Sequence, residues 1–222
     1  MNVLLSHHET RASVVDAGAT LFTNGVMSHT GHANLSARID ATTMLLTVDG
    51  QVRSLGPDRL ALVGFDGTVH EGDLDPTNAE IVAMHGEVYR ARPDVGGIIH
   101  VHSPHLLAFA LANRSLPCRY EALLRFGQAE DVPVVPWAPR GSERSVGGIV
   151  DILVTHPSTS AVILANHGVL VFGTDLRHAA SLVTVLEEAA EAEIAATSLG
   201  GAVDFPEGAL DDVRAAMARV RT

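Results

Sequence analysis

The sequence predicts an α/β fold: a single layered domain with a mostly antiparallel central sheet flanked by helices. Short apolar segments that alternate with period two recur between turn signals, and segments of helical period are inserted between them. No internal repeat, low-complexity tract or linker interrupts the 222 residues. A hydrophobic fraction of 46% suffices for one large core, so residues 1–222 read as one domain.

Each element follows from its own pattern. Ser6 to Gly25 reads as the first helix, because Val14, Ala17, Leu21 and Phe22 recur near helical spacing and Asn24-Gly25 supplies a stop. The polar stretch from Ser28 to Asn34 is a loop that leads into an alternating strand, Leu35 to Ile39. Met44 to Val48 forms a second strand, and Ala61 to Val63 pairs with Thr68 to His70 about an Asp66-Gly67 turn. Pro76 to Glu80 opens a helix with Ile81, Met84, His85 and Val88 on one face, ending before Arg92-Pro93. Gly96 to His102 is a short buried strand that hands over at Ser103-Pro104 to a helix through Ala112. Val132 to Trp137 carries Pro133 and Pro136, which lack ladder donors, so it fits a sheet edge. A helix over Glu143 to Thr155 precedes two strands, Ala161 to Ala165 and Val169 to Phe172, around the turn Asn166-His167-Gly168. A long amphipathic helix from near Asp175 to about Ser198 stops at Gly200-Gly201, and a short one occupies Glu207 to Val220.

Composition removes several function classes. Fifteen Lys plus Arg against 26 Asp plus Glu leave a net charge of −11, which argues against nucleic acid or an anionic membrane as partner. One cysteine cannot form an intrachain bridge, and Ser6-His7-His8-Glu9 shows no apolar signal core, so a cytoplasmic location is expected. Apolar runs such as Leu106 to Ala112 fall far below the ~20 residues of a spanning helix. Twelve histidines exceed the needs of packing and direct attention to metal-ligand spacing.

His100 and His102 lie two apart on a strand, so both side chains leave one face roughly 6.6 Å apart along the chain. His167 sits in a turn between two strong strands, where a rigid scaffold can aim a third imidazole at the same ion. From spacing alone, satisfied core or rim histidines plus an unrelated turn histidine remain an equal reading. Thr77-x-x-Glu80 is likewise a capping box on local pattern, and beside a metal Glu80 would instead serve as ligand, general base, or both.

Taken together, Pro76 to Glu80, His85, Tyr89, Arg92-Pro93-Asp94, His100-Val101-His102-Ser103-Pro104, and Asn166-His167-Gly168-Val169 with Gly173 resemble the class II aldolase/adducin family. The motifs keep family order from about the first helix to the long late one, and the likeness is to the fuculose-1-phosphate aldolase-like enzymes. The resemblance implies zinc, or another divalent metal that favours imidazole, on His100, His102 and His167. It makes Glu80 the residue that completes the resting coordination and acts as acid/base, and having Glu rather than Asp resembles the aldolase branch. Tyr120 matches a tyrosine that donates a proton at a neighbouring subunit's site, and Asn34 matches a residue at the substrate end of the pocket. A homotetramer with sites at subunit interfaces follows from the same likeness.

The departures concern the substrate. Sugar-phosphate members place hydroxyl donors where this chain has Asp49-Gly50 and Asn78-Ala79, which weakens a phosphate site. His29 and His32 replace small loop residues; they are either solvated or in contact with a carboxylate or hydroxyl-rich substrate. The Pro139-Arg140-Gly141-Ser142 segment occupies the region of a family loop near the site, where Arg140 could meet an anion, although exposure is the default for arginine. Trp137 and Cys118 read as core or interface residues, and Glu187, Glu188, Glu191 and Glu193 as the solvated face of a helix. The expected activity is that of a zinc-dependent lyase in carbohydrate metabolism, catalysing reversible aldol cleavage of a small hydroxy-carbonyl compound, sugar or sugar-phosphate-like, through a metal-stabilised enediolate. The alternative is metal-dependent decarboxylation of a hydroxylated, unphosphorylated aromatic acid. A non-enzymatic adducin-like scaffold is disfavoured because the whole ligand set is kept.

Overall fold

The computed structural model describes residues 7–220. Its sheet has eight strands in the order β4-β3-β2-β1-β5-β8-β7-β6. These are β1 (Ala33–Arg38), β2 (Thr43–Thr47), β3 (Leu60–Gly64), β4 (Val69–Glu71), β5 (Gly97–Val101), β6 (Val134–Val135), β7 (Ala161–Leu164) and β8 (Gly168–Gly173). Every neighbouring pair is antiparallel except β6 and β7. A parallel pair needs a crossover, and helix α5 (Glu143–Thr155) supplies it. The proline-flanked β6 lies at the sheet edge as expected, with the Pro133 and Val135 carbonyls accepting from the amides of Ile163 and Ala165.

Apart from the edge strands β4 and β6, the strands are buried on both faces. One face carries Leu35, Ile99, Val101, Val169 and Val171 into a core shared with α1 (His8–Thr23), α3 (Pro104–Ala112) and α6 (Leu176–Ala196). The other carries Met44, Leu46, Ile98, Leu170 and Phe172 against α2 (Ala79–Ala91) and α5. Alternation therefore puts His100, like Ile98, on the α2 and α5 side. Asn34 stands directly opposite His100 on the neighbouring strand.

Several sequence expectations change. Ser6 lies outside the described residues, and the first helix runs from His8. Helix α4 (Glu121–Arg125) was not anticipated, because five residues are too few to display a period. The last helix, α7 (Ala209–Val220), begins two residues later than expected, after Gly208 at φ +84°. The capping box at Thr77 and Glu80 does not form. Asp75, one residue before Pro76, accepts from the Thr77 amide at 2.8 Å and hydroxyl at 2.7 Å, and the turn Pro76–Asn78 separates it from α2. Of the two readings of Trp137, core and interface, its 58% exposure removes the core one. Glu187 leaves the supposed solvated face altogether, for it is buried and accepts from the amides of His105 and Leu106 at 2.8 and 3.0 Å.

Candidate metal centre

β5 delivers two of the three imidazoles. His100 lies within the strand, 1% exposed, and His102 follows its last residue. β8 runs antiparallel beside β5, so the turn into β8 brings His167 to the same end. Two local features shape that turn. Asn166 takes a left-handed conformation at φ +56°, which asparagine tolerates better than most residues. At Gly168 a Cβ would come within 2.6 Å of His102 Cδ2 and 2.7 Å of the Val101 carbonyl, so only glycine lets the turn close on the strand.

The ring centroids are 4.9 Å apart for His100 and His102, 4.7 Å for His100 and His167, and 5.2 Å for His102 and His167. One ligand atom from each lies within 4.8 Å of the others. His100 Nδ1 donates to the Val169 carbonyl at 3.0 Å, which fixes the tautomer and leaves Nε2 with its lone pair free. Burial, then the neighbouring His167 and His102, holds His100 well below the ordinary histidine value. Burial and the adjacent His167 bring His102 down to about 4, and burial with the nearby Arg140 lowers His167. All three are thus neutral near pH 7, the form that binds a cation. Three neutral imidazoles, one pinned through its other nitrogen, suit a divalent transition ion with a coordination place left for substrate.

The surrounding residues sort by distance from this trio. Glu80, in the first turn of α2, lies beside the cluster but outside the trio of mutually close ligand atoms; its carboxylate pairs with Arg140. It is near enough to His167 to oppose, in part, the lowering of that imidazole's pKa. His32 stacks on His102 at 5.7 Å, with the Gly50 backbone against its ring. Asn34 is 1% exposed, and its Nδ2 has no hydrogen-bond partner among the described residues. Asn78 is buried and spends Nδ2 on the Thr47 carbonyl at 3.0 Å; Asp49 is spent on Arg59 and on the Gln51 amide. His29 is exposed, and its carbonyl accepts from Arg53 at 3.3 Å. Tyr120 stands apart from the trio at the start of α4, 42% exposed.

Sequence reasoning undervalued two features. Arg140 pairs with Glu80 across 60 residues of chain, a link that no local pattern reveals. Beneath the trio, His85 Nδ1 meets the Ser36 hydroxyl at 2.7 Å, and that hydroxyl meets the Tyr89 hydroxyl at 2.9 Å. The helical spacing of His85 and Tyr89 was the available signal, since both lie on the buried face of α2.

Comparison with known proteins agrees with this geometry. Residues 12–194 match the family model described as "Class II Aldolase and Adducin N-terminal domain". A 3-oxo-tetronate 4-phosphate decarboxylase of Pectobacterium atrosepticum is 33% identical over 196 residues, covering 85% of each chain. A methylthioribulose-1-phosphate dehydratase of Pseudomonas syringae pv. syringae is 28% identical, covering 86% of this chain and 96% of its own. Among solved structures, an L-fuculose 1-phosphate aldolase superposes with a TM-score of 0.83 at 22% identity, over 98% of this chain and all of that one, a likeness of fold. The chain belongs to the class II aldolase/adducin family, and it stands among that family's lyases.

Proposed function

We propose that the protein is a zinc-dependent aldolase that cleaves and re-forms a carbon–carbon bond beside the carbonyl of a small hydroxy-carbonyl substrate. The observation that carries this reading is the convergence of three neutral imidazoles from the end of β5 and the turn before β8. His100, His102 and His167 would hold zinc or a similar divalent ion, with Glu80 as the adjoining carboxylate. A cation there supplies polarisation of the substrate carbonyl and stabilises the negative charge that develops as the bond breaks. Glu80 takes and returns the proton at the reacting carbon, and Tyr120 of an adjacent subunit exchanges one with the oxygen of the departing aldehyde. Asn34 Nδ2, a buried donor, suits a substrate oxygen. The sequence contains no lysine, so an aldol reaction through a lysine Schiff base is closed to it. We read the chain as a cytoplasmic homotetramer; its half-buried free Cys118 suits a reducing compartment. Among the described residues no helix is long and apolar enough to cross a membrane.

The test is metal analysis of protein purified without chelator, with an aldehyde-and-donor panel. We expect one equivalent of metal and loss of both metal and turnover in His100→Ala. A metal-free wild type, or an active variant, refutes the proposal. A second reading is decarboxylation, favoured by the identity to the Pectobacterium enzyme. That enzyme's name specifies an aliphatic phosphate ester rather than an aromatic acid. Carbon dioxide release from 3-oxo acids and from dihydroxybenzoates, measured side by side, separates these substrates and the two reactions.

A further inference from the structure

A cleft of about 250 Å³ opens beside His167, between the loop after β6 and the turn before β8. Trp137, Ser145 and Asn166 help to line it, and Arg140 is the one lining residue with a fixed charge. The loop presents that side chain in a defined way. Ser142 N–H donates to the Pro139 carbonyl at 3.1 Å, closing a turn in which Gly141 takes φ +70° and Arg140 stands at the tip. The Ser142 hydroxyl then accepts from the Ser145 amide and starts α5, so the turn is anchored on a helix. Glu80 is Arg140's only ion-pair or hydrogen-bond partner among the described residues, and 54% of the arginine side chain remains exposed. A guanidinium has five donors in a planar fork, so one carboxylate leaves donors free toward the cleft.

We infer that Arg140 is the specificity residue for an oxyanion on the substrate, a carboxylate or phosphate seated in this cleft, and that the incoming anion takes Glu80's place on the guanidinium. The inference rests on the proposed function in taking the cleft beside His167 as the substrate's. In a protein of net charge −11 an anionic substrate needs a local cation, and here one is set within the cleft wall. The exchange is nearly balanced, one carboxylate partner for another anion, so it costs little and releases the Glu80 carboxylate when substrate arrives. A neutral substrate would leave the Arg140–Glu80 pair closed, which selects for anionic ones.

Calorimetry on chelator-treated protein tests this without turnover, using D-glycerate, glycerol 3-phosphate and glycerol as probes. Wild type should bind at least one of the two anions and not glycerol; which anion binds identifies the oxyanion. Arg140→Gln should weaken that binding about tenfold or more, and Arg140→Lys should recover part of it. Glu80→Gln should tighten it, because the competing carboxylate is gone, an effect that a merely structural arginine would not give. Circular dichroism of each variant establishes that it is folded. No anion binding by wild type, equal binding by Arg140→Gln, or no gain in Glu80→Gln overturns the inference. The assay uses no metal, so absence of metal in the purified protein would sink the proposed function while leaving the Arg140 result standing. Conversely, a metal-replete aldolase without Arg140-dependent anion binding would sink this inference alone.

Discussion

Below the three imidazoles His85 is fully buried, with Nδ1 on the Ser36 hydroxyl and Nε2 without a hydrogen-bond partner among the described residues. Burial pushes its pKa from 6.5 down to about 3. The sign of the consequence follows from proton uptake in the two states. As pH falls from 6.5 the unfolded chain gains a proton on this ring that the folded protein refuses until about 3, so stability is lost as pH drops across that window. Well above pH 6.5 neither state is protonated there and the ring adds nothing to the pH dependence. The slope for one such group is about 1.4 kcal/mol per pH unit. In metal-free protein, His85→Asn should therefore reduce the slope of unfolding free energy against pH by about that amount within the window. Urea denaturation at several pH values reads it, and an unchanged slope would show that His85 is protonated in the fold. A bound cation adds a separate acid sensitivity through its own ligands, so the measurement belongs to the chelated protein.

Helix α3 begins two residues after His102, which makes its N-terminus part of the site's support. Ser103, its N-cap, makes no capping bond with its side chain; Glu187 of α6 reaches across to take the amides of His105 and Leu106 and His105 Nδ1. A carboxylate at a helix N-terminus also complements the helix dipole. Glu187→Ala should cost about 1–2 kcal/mol, since it strands amide donors at a buried helix start. A lowered urea midpoint measures this, and metal affinity should fall with it because the loosened helix start lies next to His102 in the chain. This link marks where the sequence ceases to be legible. The strands and the long helices were readable because their signals are local, period two and period 3.6, whereas spacing alone left the three histidines with two equal readings and the family likeness joined them. Glu80 looked like a cap because Thr77 precedes it by three residues, yet Asp75 takes that role and Glu80 turns to Arg140. Glu187 looked solvated beside Glu188 and Glu191, yet its partners lie more than eighty residues earlier in the chain. Ion pairs and caps made across the fold leave no period in the sequence, and both misreadings were of that kind.

At the scale of the whole molecule, Tyr120 separates a protomer that works alone from one that needs a neighbour. It is exposed at the start of α4, and Glu80 lies at the start of α2 on the other face of the sheet. If Tyr120 serves an adjoining subunit's site, two inactive variants can complement each other. In mixtures of Glu80→Gln and Tyr120→Phe protomers, a site recovers when the Tyr120→Phe subunit supplies Glu80 and its Glu80→Gln neighbour supplies Tyr120. Random assembly from equal amounts into a ring restores about a quarter of the sites. Activity should therefore rise after the two proteins are unfolded and refolded together, well above the mean of either refolded alone. Sedimentation of the same samples fixes the assembly state. Activity that stays at the mean of the parents, in an assembly shown to be mixed, places both groups in one protomer or removes Tyr120 from the chemistry. The double variant Glu80→Gln with Tyr120→Phe, mixed with wild type, gives the converse count. A site formed between unlike subunits then lacks one group or the other, so activity should fall faster than the wild-type fraction. Strict proportionality would mean that each protomer carries its own complete site.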